Sequence, residues 1–284
     1  MSTQWRSIAL SDRLARHLLS EADLAERIDE AGLDAVVLGL ERLDPLAPEG
    51  HQLDPTSLAP ILARRIRNTR LLIAATNHRE HPWNLARAVA SLQNFVPSGS
   101  GLVLAARDRT VPDGRPGARA WDVGNLSRPV DIGPEATIDA GVVARKLWDD
   151  YPFDAVIADP SSNTYLDLER VRASDHRGVY DVAGPLPVPT RGRPLLSLFV
   201  PDGAPVAVPP AFDSVTVPLD LAIEAARGAD AFGGRPLIAY VRDPDDLARA
   251  AESVRSGGQV LGVQALVTDD HALRTALKAL GALG

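Results

Sequence analysis

The chain has 284 residues, 45% of them hydrophobic, no cysteine and a formal net charge of −7. The lack of cysteine excludes disulfides, thiolate metal ligands and thiol nucleophiles, and the acidic balance argues against a nucleic-acid partner held by a bulk basic surface. No apolar run approaches the roughly 18 residues of a membrane span, and the opening MSTQWRSIALSDR lacks the charged-then-apolar layout of a secretory signal, so a cytoplasmic protein with no membrane contact is expected.

From there the pattern alternates between strand and helix. Arg6 to Leu10 reads as a short first strand. Ser20 to Ala31 reads as an amphipathic helix, with Leu24, Ile28 and Ala31 at helical spacing, Ser20 as its cap and Gly32 as its stop. Asp34 to Leu40 is a continuous apolar run, as a strand buried on both faces requires. A loop over Leu43 to Leu53 leads to a second helix, Pro55 to Arg67, and a third strand, Arg70 to Thr76. Pro82 opens a third helix that runs to Asn94, and Gly101 to Ala106 is the fourth strand.

Alternation lapses over Arg107 to Pro134, which reads as a long loop rich in Gly, Pro, Asp and Arg. Glu135 to Asp150 is a helix, a hairpin-like insertion occupies 151–192, and Pro194 to Val200 is the fifth strand. Phe212 to Val217 reads as the sixth strand, followed by a helix over Leu219 to Ala229. Pro236 to Val241 and Val260 to Val267 complete the strands, with helices over Pro244 to Ser256, capped by Asp243, and Asp270 to Leu280. Between Val200 and Phe212 stands only PDGAPVAVPPA, too short and too proline-rich for a crossover helix. Either the fifth connection is abnormal or the sixth strand is misplaced. Eight strands with interposed helices argue for one α/β domain over 1–284, a TIM (β/α)8 barrel, with an open doubly wound sheet as the rival.

The most distinctive residues lie between Ala144 and Val200. They are Lys146-Leu147-Trp148-Asp149-Asp150, Tyr165-Leu166-Asp167, Asp175-His176-Arg177-Gly178, Gly184-Pro185-Leu186, Val188-Pro189 and the apolar run from Pro194. Their order resembles the luciferase-like flavin-dependent monooxygenases, in the branch of the nitrilotriacetate and dibenzothiophene-sulfone monooxygenases. The resemblance covers about Ala31 to Val200 and implies a luciferase-like barrel. It implies oxygenation of a small organic substrate with reduced FMN from a separate flavin reductase; a deazaflavin is the other cofactor to consider. It also implies a homodimer, or a heterodimer with a paralogue.

In such a barrel the site lies at the C-terminal ends of the strands. Glu41 follows the second strand. The third is followed by Thr76, Asn77 and His78, and then by Pro82, Trp83, Leu85, Ala86 and Arg87, which match the family's string at this point. The resemblance implies flavin contacts from Thr76, Asn77, Trp83 and Gly203, with His78 and Glu41 as the catalytic candidates. A histidine near neutrality suits proton transfer. The alternative is that these are ordinary polar loop residues. His78 and His81 have no further ligand at a standard spacing, so no metal is expected. Asp175, His176 and Gly178 read as a locally hydrogen-bonded turn, and Trp148 as core.

The chain departs from the family at telling places. Gln93 and Ser100 replace an acid and an arginine, Ala105-Ala106 replace polar residues, and Pro201-Asp202 stand where a serine and a glycine nest bind phosphate. These departures support a second expectation: a degenerate barrel that serves as a non-catalytic subunit or binds another ligand.

Overall fold

The computed structural model describes residues 4–44, 46–47, 53–77, 80–110, 133–201, 206–225, 232–255 and 260–281. The first half of the barrel is β1 (Trp5–Leu10), β2 (Ala35–Leu38), β3 (Arg70–Thr76) and β4 (Ser100–Ala105). Four short strands then form two antiparallel pairs, β5 (Val156–Asp159) with β6 (Thr164–Leu166) and β7 (His176–Arg177) with β8 (Asp181–Val182). The second half is β9 (Leu195–Phe199), β10 (Ser214–Pro218), β11 (Leu237–Val241) and β12 (Val260–Val267). The eight long strands close in the order β1-β12-β11-β10-β9-β4-β3-β2, and every pairing is parallel. The open sheet is thereby excluded, and the expected sixth strand exists.

Side-chain alternation explains the apolar runs. Ala9, Val37, Ala74, Val103 and Phe199 point into the barrel and pack with Tyr240 and Leu266. Their neighbours Leu10, Leu38, Ile73, Leu104 and Leu198 point outward, into the layer beneath the helices. Both faces of each strand are dry, so no polar alternation survives in the sequence.

The helices correct several expectations. Ser11 Oγ accepts from Leu14 N–H and starts α1 (Asp12–Ser20), ahead of the expected cap at Ser20. The chain is extended at Glu21, and α2 (Ala22–Glu30) follows. The Ser11-Asp12 start is a strong capping signal, and it splits what periodicity joins. β2 ends early because Gly39 turns with φ 93, and α3 (Leu40–Leu43) folds over the barrel mouth. α4 (Pro55–Leu62) is shorter than expected. Beyond it the Asp29 carboxylate takes the backbone N–H groups of Arg67, Asn68 and Thr69, which ends any helix there. α5 (Pro82–Leu92) and α6 (Pro134–Asp149) begin at their prolines. α7 (Leu219–Ala225), α8 (Leu247–Arg255) and α9 (Asp270–Gly281) cover the second half, and Asp243 caps a 3-10 turn ahead of α8.

The fifth connection is abnormal, as one alternative anticipated. The described residues between β9 and β10 form no helix. Phe212, fully buried, lies against Gly141 of α6; a Cβ on Gly141 would stand 2.2 Å from the ring. Arg145 of α6 donates to the carbonyls of Ala211 and Pro194 and pairs with Asp213. A long helix and one aromatic ring thus cover the surface that a crossover helix would cover.

Candidate site at the barrel mouth

A cavity of about 270 Å³ opens at the C-terminal ends of β4 and β9. This is the end where (β/α)8 barrels place their chemistry. Ala105 and Phe199 contribute from the inward face of the seam, and Leu198 and Val200 from the outward face. Gly133, Pro134 and Thr137 at the start of α6 form one wall, and Leu43 of α3 another. Arg107 and Arg109 are the charged residues of the lining, both exposed. Apart from Thr137 the remaining walls are apolar, and the volume lies just under the roughly 300–1,000 Å³ of small-molecule pockets.

The mouth on the other side is filled. The Phe199 and Tyr240 rings stack at 5.0 Å. Tyr240 donates to the carbonyl of Pro201 at 3.3 Å. Arg242, beyond β11, grips the buried Asp44 carboxylate with Nε and Nη2, the shortest contact being 2.7 Å. Leu40 and Leu43 are fully buried in the inner cluster, so α3 plugs the barrel from above.

Glu41 sits on α3 at the end of β2. Its two oxygens accept the Asp12 backbone N–H at 2.7 and 2.9 Å, at the start of α1. Asp12 and Glu41 expose 4% and 9% of their surface, so two neighbouring carboxyl groups lie out of water. Burial, and then the charge of Asp12, pushes Glu41 up to about 7. Burial also raises Asp12, against the opposing pull of the Leu53 N–H and the Arg42 guanidinium. Asp12 was missed from sequence because the first helix was started at Ser20; the Ser11-Asp12 pair after an apolar strand was the available signal.

The other expected residues are placed as follows. Thr76 ends β3 on its inward face, and its buried Oγ1 has no partner. Asn77 is fully buried and donates to the Tyr180 hydroxyl at 2.9 Å. Its Oδ1 lies 3.1 Å from the Thr137 hydroxyl, so Asn77 stands behind the cavity wall. Trp83 is half-buried in the first turn of α5 with Arg87 over its ring, and it is not part of the cavity lining. His78 and Gly203 lie outside the described residues. His81 caps α5 by accepting the Trp83 N–H on Nδ1, and its ring packs edge-on against Tyr180. Among the described residues, no three metal-ligating side chains come together.

His176 is not a local turn device. It reaches Asp139 of α6 at 3.0 Å, and the same carboxylate accepts the Tyr180 N–H at 2.8 Å. The insertion is therefore docked on α6, and Tyr180 joins it to Asn77. Trp148 is core, donating to the carbonyl of Ala86 at 2.9 Å.

No family model and no curated protein matches the sequence. Solved structures do match the fold. Long-chain alkane monooxygenase (LadA) superposes with a TM-score of 0.57 at 14% identity, over 99% of this chain and 73% of that one. Riboflavin lyase (RcaE), solved with modified FMN and riboflavin, gives 0.57 at 17% identity over 89% of this chain and 66% of its own. Coenzyme F420-dependent tetrahydromethanopterin reductase from Methanopyrus kandleri gives 0.60 at 12% identity, with 98% of each chain covered. The chain thus spans just under two thirds of the riboflavin lyase and nearly all of the reductase. Its fold is the luciferase-like barrel, shared by enzymes that use flavin or F420. At these identities the likeness defines the fold, and activity has to be argued from the site.

Proposed function

We propose that the chain is an oxidoreductase that holds a flavin-type cofactor at the barrel mouth and acts on a small organic molecule. The observation that carries this reading is the cavity over the β4–β9 seam, at the functional end of a luciferase-like barrel. Its wall chemistry fits a flat apolar ring: Leu43, Ala105, Leu198 and Phe199 supply apolar contact, and Arg107 and Arg109 bring positive charge to the rim, where an anionic tail would lie. A phosphate cradle of serine and glycine N–H groups is not built among the described residues. When bound, the group would supply the redox chemistry. The chain's own residues would orient the ring, exclude water from its face and keep a proton at the Glu41 carboxyl, one residue before Arg42 and two before the cavity-lining Leu43. Thr76, with its unbonded hydroxyl, is the inward polar group nearest this edge in the β3–β4 ladder, directly opposite Ala105. In this reading His78 is a second proton carrier, and Asn77 fixes Thr137 without touching the ring. Monooxygenation with reduced FMN from a separate reductase, and a dimeric assembly, are the finer form of the proposal.

The test is direct titration of the purified protein with FMN, riboflavin and F420, followed by cofactor fluorescence. Saturable binding in the micromolar range by one of them supports the reading and selects the cofactor. Absence of binding by all three at about 1 mM, oxidised or reduced, a free-energy ceiling of about −4 kcal/mol, sinks it. The second reading is a non-catalytic barrel. The filled mouth favours it, because the Phe199–Tyr240 stack and α3 occupy the centre of the barrel's open end. That reading expects no flavin binding and stable association with another protein.

A further inference from the structure

We infer that Asp12 and Glu41 form a one-proton latch that holds α3 in the barrel mouth and so controls access to the cavity that Leu43 walls. The segment has little stability of its own, because four residues make a single turn and nucleation of a helix is unfavourable. Its position rests on what its side chains grip. Gly39, at φ 93, aims the turn across the mouth, where a Cβ would stand 2.6 Å from Pro55. Leu40 and Leu43 reach down into the inner cluster. Asp44 holds one end through Arg242 at 2.7 Å. Glu41 holds the other through the Asp12 N–H.

An ionised Glu41 could still accept the Asp12 N–H; it is the buried pairing of the two carboxyl groups that needs a proton. Asp12 Oδ2 takes the Leu53 N–H at 2.7 Å, while Asp12 Oδ1 is buried without an N–H or hydroxyl partner. A protonated Glu41 donates to Asp12 and satisfies the pair. Once Glu41 ionises, two carboxylates face each other out of water, and neither can donate. The charged groups around them do not compensate. Arg42, on the same turn, and Asp108, after β4, both act on Asp12, so full ionisation sets three carboxylates around one guanidinium. Arg42 is also shared with Asp54 at 3.8 Å, and Arg242 is taken by Asp44. Burial places the loss of the latch proton near pH 7. Between the ordinary value of 4.5 and about 7, each pH unit favours the open form by up to about tenfold, and above that the shift toward opening is complete. The inference does not depend on a flavin being bound.

Hydrogen exchange read by mass spectrometry on the full chain tests it, at about pH 6 and about pH 8.5, with each rate corrected for the intrinsic chemistry. The amides of Leu40 to Asp44 are expected to lose on the order of tenfold in protection at the higher pH, while β3 and α5 keep theirs. In Glu41→Gln, which cannot ionise, the pH dependence of this segment is expected to vanish. Asp12→Asn is the second variant: its amide can donate to an ionised Glu41, so it too is expected to flatten the response. Unchanged protection of Leu40 to Asp44 between the two pH values overturns the latch. So does the same fall in a folded Glu41→Gln or Asp12→Asn protein, or an equal fall across the whole barrel.

Discussion

Arg145 on α6 meets Asp213, the residue before β10, at 2.7 Å, and this pair bolts the helix to the connection between β9 and β10, whose described residues form no helix. The side chains are 7% and 30% exposed, so the guanidinium is the more deeply buried partner. Arg145 also donates to two carbonyls and lies over the Trp148 ring. Asp213 keeps Arg193 and the Leu196 N–H if Arg145 is removed. Arg145→Ala is therefore expected to cost about 3 kcal/mol, near the low end for breaking a buried pair. Urea unfolding of the variant beside the wild type measures it.

The same region is packed to contact at Gly141 and Phe212. Because a Cβ at Gly141 would overlap the Phe212 ring, Gly141→Ala is expected to destabilise the protein by about 1–3 kcal/mol through overpacking, despite alanine's better helix propensity. Adding Phe212→Leu is expected to recover part of that loss. Thermal melts of the two single variants and the double variant close the cycle, and strict additivity would contradict the contact.

Acid sensitivity is expected at His81. Its Nδ1 accepts the Trp83 N–H, so the ring must be neutral to cap α5, and burial lowers its pKa. The unfolded chain therefore takes up this proton before the folded one does. The contribution is fully present above the ordinary histidine value of about 6.5 and is lost as pH falls toward and through the lowered folded value. His81→Asn keeps a capping acceptor and removes the titration. The stability gap between wild type and variant is expected to move in the variant's favour between about pH 8 and about pH 5, read by denaturant unfolding. Glu41 acts with the opposite sign. Its raised value favours the folded state at low pH and withdraws that help between the ordinary glutamate value of 4.5 and about 7, so Glu41→Gln should steepen the net loss toward acid.

The cavity itself can be blocked without disturbing the core. Ala106 lines it and is partly exposed. Ala106→Phe is expected to fill the space and weaken binding of the flavin-type cofactor by at least about tenfold, some 1.4 kcal/mol. Its melting temperature should stay close to that of the wild type. Undiminished binding would move the cofactor away from this wall.

Much of this architecture is written locally. Strands buried on both faces leave continuous apolar runs such as Ala35-Val36-Val37-Leu38, and proline or glycine marks their ends, so all eight barrel strands are legible in chain order. The proline-rich stretch after Val200 likewise announces that its described residues form no helix. The sequence also carries the Asp175-His176 motif, but only as a pattern. Which residue a side chain meets was decided by closure of the barrel. Glu41 finds the N–H of Asp12 across 29 positions, and Asn77 finds Tyr180 across 103. Gly39 turns α3 inward only because the mouth exists to receive Leu40 and Leu43. Local propensity records burial and punctuation, whereas the partner of a polar group, and hence its charge state, is set by contacts that form only when distant strands come together.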